Sequence, residues 1–303
     1  MNYQEFLDAC VDSVRKIVGK EAEVVIHRVT KNNGIVLDGL VIMERSRHFA
    51  PTIYLNDYYA KYLAGCDIED IAGRIYRLYL SNCNNLTLPE DFFLDFGKLR
   101  SQVAFRLISY ARNKELLAKI PHRRWKDLAI IYFVVCDNID KERAVVTIYN
   151  NHLKLWDVTE NELYELAMIN TPRLYKPVMR PMNQVVSEMI LKESDDDNIE
   201  ELIEHVNRMN EEFPMYVLSN EMKTQGAACM LYKGLLAGFT KHIEADVYII
   251  PSSIHEVILV PIDGDVSREG LADMVKSVNQ TELSVEEILS DEVYVFTRKN
   301  GFE

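Results

Sequence analysis

The chain has 303 residues, 48% of them hydrophobic and 27% charged, an ordinary globular composition with room for one large domain or two packed ones. Its net charge of −13 argues against broad binding to nucleic acid or an anionic membrane, whose phosphates it would repel. The longest apolar run, nine residues from Leu128 to Cys136, is too short to cross a bilayer, and the start has no basic secretory leader; the five scattered cysteines contain no C-x-x-C pair, so the expected setting is the reducing cytoplasm.

Taken in chain order, Phe6, Leu7, Cys10, Val11, Val14 and Ile17 recur at helical spacing, which predicts an amphipathic helix over 3–18. Residues 23–30 and 35–43 read as strands joined at Lys31-Asn-Asn-Gly34, where Asn-Gly makes positive φ inexpensive. A short extended piece at 51–55 leads into a helix capped by Asn56 or Asp57, and Ile68, Ile71, Ala72, Ile75 and Tyr79 mark another. Leu99, Val103, Leu107, Tyr110 and Leu117 suggest one long helix over 96–119. The run 128–136 is apolar throughout, as in a strand buried on both faces, with 144–149 as its hairpin partner. Thr159-Glu-Asn-Glu162 is a capping box, and Pro172 is expected to end the helix it opens near Asn170. Pro172, Pro177 and Pro181 then suggest a stiff connector, followed by an acidic helix around 198–209. Beyond it the order is strand (215–219), helix (through Ala228, Leu231, Leu235, Phe239 and Ile243), strands (247–250 and 255–260), helix (from Ser267) and strand (292–297).

Charge is unevenly placed. Residues 192–213 hold nine acids against Lys192 and Arg208, a net of −7, while 98–126 hold nine bases against Glu115, a net of +8. Within the basic stretch, His122-Arg-Arg-Trp125 is the most suggestive cluster, because arginines grip carboxylate or phosphate bidentately and a tryptophan offers a stacking face. The plainer reading is a solvated connection whose Trp packs on the core. Asn170 and Arg173 either join His122 and Arg123 in an anion site or cap helix carbonyls.

A second cluster is Ser252, Ser253, His255 and Glu256. His255-Glu256 opens like H-E-x-x-H, but the fifth position is Leu259 and the segment reads as a strand, so two histidines cannot share a helix face. No G-x-S-x-G surrounds either serine. The favoured reading is a turn whose hydroxyls satisfy backbone groups. Asp263-Gly-Asp265 lacks the Gly and Glu of a calcium loop, having Arg268 and Met274 there, and Gly234 and Gly238 belong to no phosphate-binding loop. Cys136 and Cys229 have apolar surroundings and read as core residues.

Thr30-Lys-Asn-Asn-Gly34 with Leu37-Asp-Gly39, Pro51-Thr-Ile-Tyr-Leu-Asn-Asp57, Asn113-Lys-Glu-Leu-Leu117 with Pro121-His-Arg123, Asn170-Thr-Pro-Arg-Leu174 and Ile250-Pro-Ser-Ser-Ile-His-Glu-Val257 resemble an uncharacterised bacterial family catalogued as domain of unknown function 5688. The resemblance spans nearly the whole chain, departs from the family pattern at Arg124-Trp125, and implies no activity, cofactor or catalytic residue.

The resulting expectation is an α+β protein: a helical and hairpin N-terminal part (1–182), an acidic connector (183–212) and a ferredoxin-like βαββαβ C-terminal unit (213–303). A non-catalytic cytoplasmic binding or adaptor protein is the leading function. The alternative is an enzyme or binding protein acting on an anionic small molecule through His122, Arg123, Asn170 and Arg173, with Ser252, Ser253, His255 and Glu256 as a secondary cluster. No cofactor and no metal is expected. The expected partner is another protein or a small anionic ligand, not nucleic acid or membrane, and both faces of strand 255–260 are apolar enough to suggest a homo-oligomer through an open sheet face.

Overall fold

The computed structural model describes residues 1–44, 50–83, 94–139, 142–193, 198–251, 253–263 and 266–303. Ser252 and the acids Asp195 to Asp197 lie outside the described residues. The chain mixes helix and sheet, and it divides into two compact units: residues 1–98 with 136–145, and residues 99–135 with 146–303. The composition instead suggests borders at 182 and 213, both of which fall inside the second unit.

The first unit is a helix-covered meander. Helix α1 (Tyr3–Val18) starts at a capping box in which the Asn2 side chain accepts from the Glu5 backbone while Glu5 accepts from that of Asn2. Strands β1 (Ala22–Thr30), β2 (Val36–Glu44) and β3 (Thr52–Tyr54) form an antiparallel sheet in that order. The β1–β2 turn places Asn33 and Gly34 at φ of 57° and 76°, as the Asn-Gly signal requires. Helices α2 (Asn56–Leu63) and α3 (Ile68–Cys83) follow. Phe6, Cys10 and Val14 of α1 meet Val24, Leu40 and Ile42 of the sheet and Ile71, Ile75 and Tyr79 of α3 in one core.

The second unit opens with a correction. Residues 96–119 are not one helix: α4 (Phe96–Leu99), β4 (Val103–Ser109) and α5 (Lys114–Leu117) share the stretch. Six of the seven β4 residues are buried, which a helix with one wet face could not match. Strand β5 (His122–Trp125) and β6 (Leu128–Ile139) follow; β6 pairs with β4 on one side, and on the other with β5 and then β7 (Glu142–Thr147). Helix α6 (Asn150–Trp156) precedes α7 (Glu160–Leu174), which starts at the expected capping box but runs through Pro172 to Leu174. The expected proline connector contains instead β8 (Pro177–Pro181), and the expected acidic connector is the helix pair α8 (Met182–Glu193) and α9 (Ile199–Glu212).

Strands β9 (Tyr216–Asn220), β10 (Val247–Ile250), β11 (Val257–Pro261), β12 (Tyr294–Thr297) and β13 (Gly301–Phe302) join β8 in a six-stranded sheet ordered β13-β12-β10-β11-β9-β8. Between them lie the 3-10 turn Gly226–Leu231 with α10 (Leu235–His242), and α11 (Arg268–Thr281), which Ser267 caps. The strand–helix–strand–strand–helix–strand order is present, and every ladder is antiparallel. Strand β11 lies between β9 and β10, as in a split βαβ unit, but the last strand, β12, pairs with β10 where a ferredoxin-like unit would place it beside β9. Helix α11 covers one face through Leu271 and Val275 on Ile250 and Val260. On the other, Leu218, Ile249 and Leu259 have no exposed surface, and the turn Gly226–Leu231 packs on β9 and β11.

Candidate functional site

The two halves of the expected anion site lie at opposite ends of α7. At its start, Arg123 Nη2 donates to Glu160 Oε2 at 2.8 Å and to Asn161 Oδ1 at 3.0 Å, and its guanidinium lies 3.8 Å from the centre of the Tyr164 ring. The bond to Glu160 holds the Arg123 pKa above its ordinary value. Glu160 also accepts from the Tyr132 hydroxyl, which burial and then this bond hold in its protonated form. His122 approaches the Ile120 carbonyl with Nδ1 at 3.1 Å and packs against Tyr110. At the other end, Asn170 is buried and donates to the carbonyls of Arg100 (2.7 Å) and Val103 (3.1 Å), while Arg173 donates to that of Ser101. Asn170 lies nine helical steps beyond Asn161, roughly 14 Å at 1.5 Å per residue. The four residues do not converge.

Of the second cluster, Ser253, His255 and Glu256 lie in the connection between β10 and β11. Ser253 Oγ donates to Glu256 Oε1 at 2.8 Å and accepts from the His255 backbone at 3.0 Å. His255 Nδ1 accepts from Gln225 N–H at 3.3 Å, and its Nε2 lies 3.7 Å from Glu287. A Cβ on Gly226 would sit 2.3 Å from the His255 carbonyl oxygen, so only glycine lets the two backbones approach. These contacts dock the loop onto the turn at 226, and the Ser253 hydroxyl is aimed at Glu256 and not at the His255 ring.

What the fold does assemble is an apolar pocket in the second unit. Lys126, at φ 51°, and Asp127 make the tight turn from β5 to β6. Asp127 accepts from Ser290 Oγ at 2.6 Å and Tyr294 OH at 2.8 Å, which fixes the turn to the C-terminal sheet. Trp125 is thereby held edge-on to Tyr294 and Phe302, with ring centres 5.2 and 5.0 Å apart. Tyr164 and Met168, one turn apart on α7, form a second wall; Met230, Tyr232 and Leu236 form a third, and Phe296 closes the side. The cavity holds about 260 Å³, and among the described residues Lys233 is the one charged residue lining it. It is below the usual small-molecule range but large enough for one bulky apolar group. Arg123, stacked on Tyr164, steadies that wall rather than reaching into the pocket.

The model of a family of unknown function (DUF5688) matches residues 3–298. The chain belongs to that family. No curated protein and no solved structure matches the chain. For this DUF5688 member, sequence reasoning singled out Trp125 but missed Tyr164, Met168, Met230, Phe296 and Phe302. Each looks like a core residue in its own segment, and only the tertiary fold brings them around one cavity. Among the described residues no helix is long and apolar enough to cross a membrane, and no group of three or more His, Cys, Asp or Glu could hold a metal ion.

Proposed function

We propose that this DUF5688 member is a non-catalytic binding protein whose second unit receives one apolar side chain of a partner in the Trp125 pocket. The observation that carries the reading is the lining: aromatic rings and methionines around a preformed cavity, with a single lysine at hand. Binding sites are built this way, whereas acid–base or nucleophilic chemistry needs convergent polar groups. Met168 and Met230 suit a surface that adapts to its guest. Unpaired Cys10 and Cys229, whose thiols burial pushes up to about 12, fit a reducing cytoplasm as the place of action.

The test fills the pocket from its rim. Ala237 is exposed on α10 and lines the cavity, so Ala237→Phe is expected to block it while leaving the fold intact. An environment-sensitive apolar dye should bind the native protein, shift the emission of Trp125 (assigned with Trp125→Phe), and bind Ala237→Phe at least about tenfold more weakly. Equal dye binding by the two proteins would remove the pocket from consideration.

A further inference from the structure

The first unit carries a different surface. The hairpin bond from Lys31 N–H to the Ile35 carbonyl, 2.7 Å, fixes which ladder pairs exchange hydrogen bonds. Bonded and non-bonded pairs alternate in an antiparallel ladder, so Val29, His27, Val25 and Glu23 bond to β2, while Arg28, Ile26 and Val24 turn their N–H and C=O groups outward. Two bonds check this phase. Asp38, opposite Arg28, accepts from Leu55 N–H at 2.9 Å and donates its own N–H to Asn56 Oδ1 at 3.0 Å, both away from β1. Strand β1 is the edge of its sheet. Among the described residues the outward groups have one partner, Arg15 Nη2 on the Val24 carbonyl at 3.0 Å.

Beside this edge lies a groove of about 670 Å³ between α1 and β1, with Asp38 also contributing. Leu7, Asp8, Val11 and Asp12 form its helical wall. Asp12 lies 3.6 Å from Arg15, and Asp38 is engaged by the Tyr3 hydroxyl (2.9 Å) and by Arg28 (3.6 Å). Asp8 accepts only from Gln4 and has no cation among the described residues. Asp8 and Asp12 are one turn apart on the same helix, a like-charge pair that a cation between them would relieve. An unpaired strand edge beside a helix with alternating apolar and acidic side chains is the layout for strand addition, in which backbone bonds give affinity and side chains give specificity.

We propose that α1 and the open edge of β1 form a docking groove for an extended segment of a partner protein, with a Lys or Arg opposite Asp8 and Asp12 and an apolar side chain against Leu7 and Val11. The span from Val24 to Arg28 is about 13 Å at 3.3 Å per residue, so the segment is roughly five residues long. This groove is separate from the Trp125 pocket and stands or falls without it.

The test uses the full chain and a fluorescein-labelled peptide of alternating Lys and Val, with the alternating Glu and Val peptide as its control. Fluorescence anisotropy should show saturable binding of the first peptide and at least tenfold weaker binding of the second. Hydrogen exchange should show the Ile26 and Arg28 amides exchanging fast in the free protein and at least tenfold slower with the Lys-Val peptide. Asp8→Lys combined with Asp12→Lys, both exposed positions, should abolish binding without moving the melting temperature. Arg28→Pro removes an outward N–H at a position where an edge strand tolerates proline, and should weaken binding at least tenfold, whereas Arg28→Ala keeps the N–H and should retain it. No binding, equal binding of the two peptides, or protection away from β1 would overturn the proposal. So would a concentration-dependent dimer that Arg28→Pro dissolves, because the occupant would then be a second copy.

Discussion

Arg106 shows how a single residue can escape a charge count. It belongs to the +8 stretch, yet its side chain crosses the sheet face, reaching Thr147 Oγ1 at 3.2 Å and lying 5.6 Å from the Phe133 ring centre. Its Nε is closed to solvent and has no acceptor among the described residues, and burial lowers the guanidinium pKa. Burying a guanidinium without a carboxylate carries a desolvation cost that a hydroxyl and a ring only partly offset. Arg106→Met, of similar length and without the charge, is therefore expected to leave the melting temperature unchanged or raise it. A fall of more than about 5 °C in a thermal melt would show that the bonds to Thr147 and Phe133 outweigh desolvation. Two other arginines of the stretch have local duties: Arg123 pairs with Glu160 at 2.8 Å and Arg112 with Asp291 at 3.3 Å. Sequence identified the charge but not its direction, because a side chain's partner is set by tertiary packing.

Elements were legible where a local rule fixes them. The α1 spacing, the Asn-Gly turn, the Thr159 box and the helix start near Ser267 all depend on residues no more than four apart, and the structure contains each. Residues 103–109 were not legible, because apolar residues four apart fit a helix stripe as well as a strand buried on both faces. Pro172 misleads for a related reason. It removes one N–H, but the helix is held past it by the bond from Tyr175 N–H to the Thr171 carbonyl, 2.8 Å. The pocket was illegible since its walls come from β5, α7, the turn at 226–231 and β12, and no local pattern links them. The box itself can be tested. Thr159 Oγ accepts from Glu162 N–H at 3.3 Å, and the Glu162 carboxylate accepts from Thr159 N–H at 2.8 Å and its hydroxyl at 2.9 Å. Thr159→Ala is expected to cost about 1 kcal/mol in urea unfolding. The bonds from Thr159 hold the Glu162 carboxyl below its ordinary value, so that stabilisation is present above the unfolded pKa and is lost as pH falls through the lowered folded one. Thr159→Ala keeps the backbone bond to Glu162 and removes the hydroxyl one, so the difference between native and variant should shrink in acid by the hydroxyl's share; a gap constant from neutral pH down to about pH 2 would mean that the hydroxyl–carboxylate bond contributes nothing.

For the molecule as a whole, composition and packing draw different borders. An acidic stretch following three prolines reads as a linker, yet α8 and α9 leave from β8 and return to β9, and these two strands are neighbours in register from Pro177 to Pro181. A backbone bond from Met182 N–H to the Met215 carbonyl, 2.8 Å, extends that pairing. The C-terminal strands are thus completed by residues that precede the acidic helices. They are also tied to residues before α7, through Asp127 on Ser290 and Tyr294, and through Trp125 on Phe302. A fragment of residues 213–303 would lose β8, the Asp127 turn and the packing of β4 against the turn at 226–231. Phe105, 6.3 Å from the Tyr232 ring centre, would be absent, and the buried bond from Tyr232 OH to the Tyr175 carbonyl would be lost, leaving a hydroxyl that normally sits out of water. Exposed apolar strand faces and unpaired edges promote aggregation. That fragment is expected to bind hydrophobic dye and to aggregate, whereas residues 99–135 with 146–303 hold the contacts of the second unit together. A fragment 213–303 that is monomeric, dye-silent and cooperatively folded would show that its sheet is complete without β8 and without the Asp127 turn.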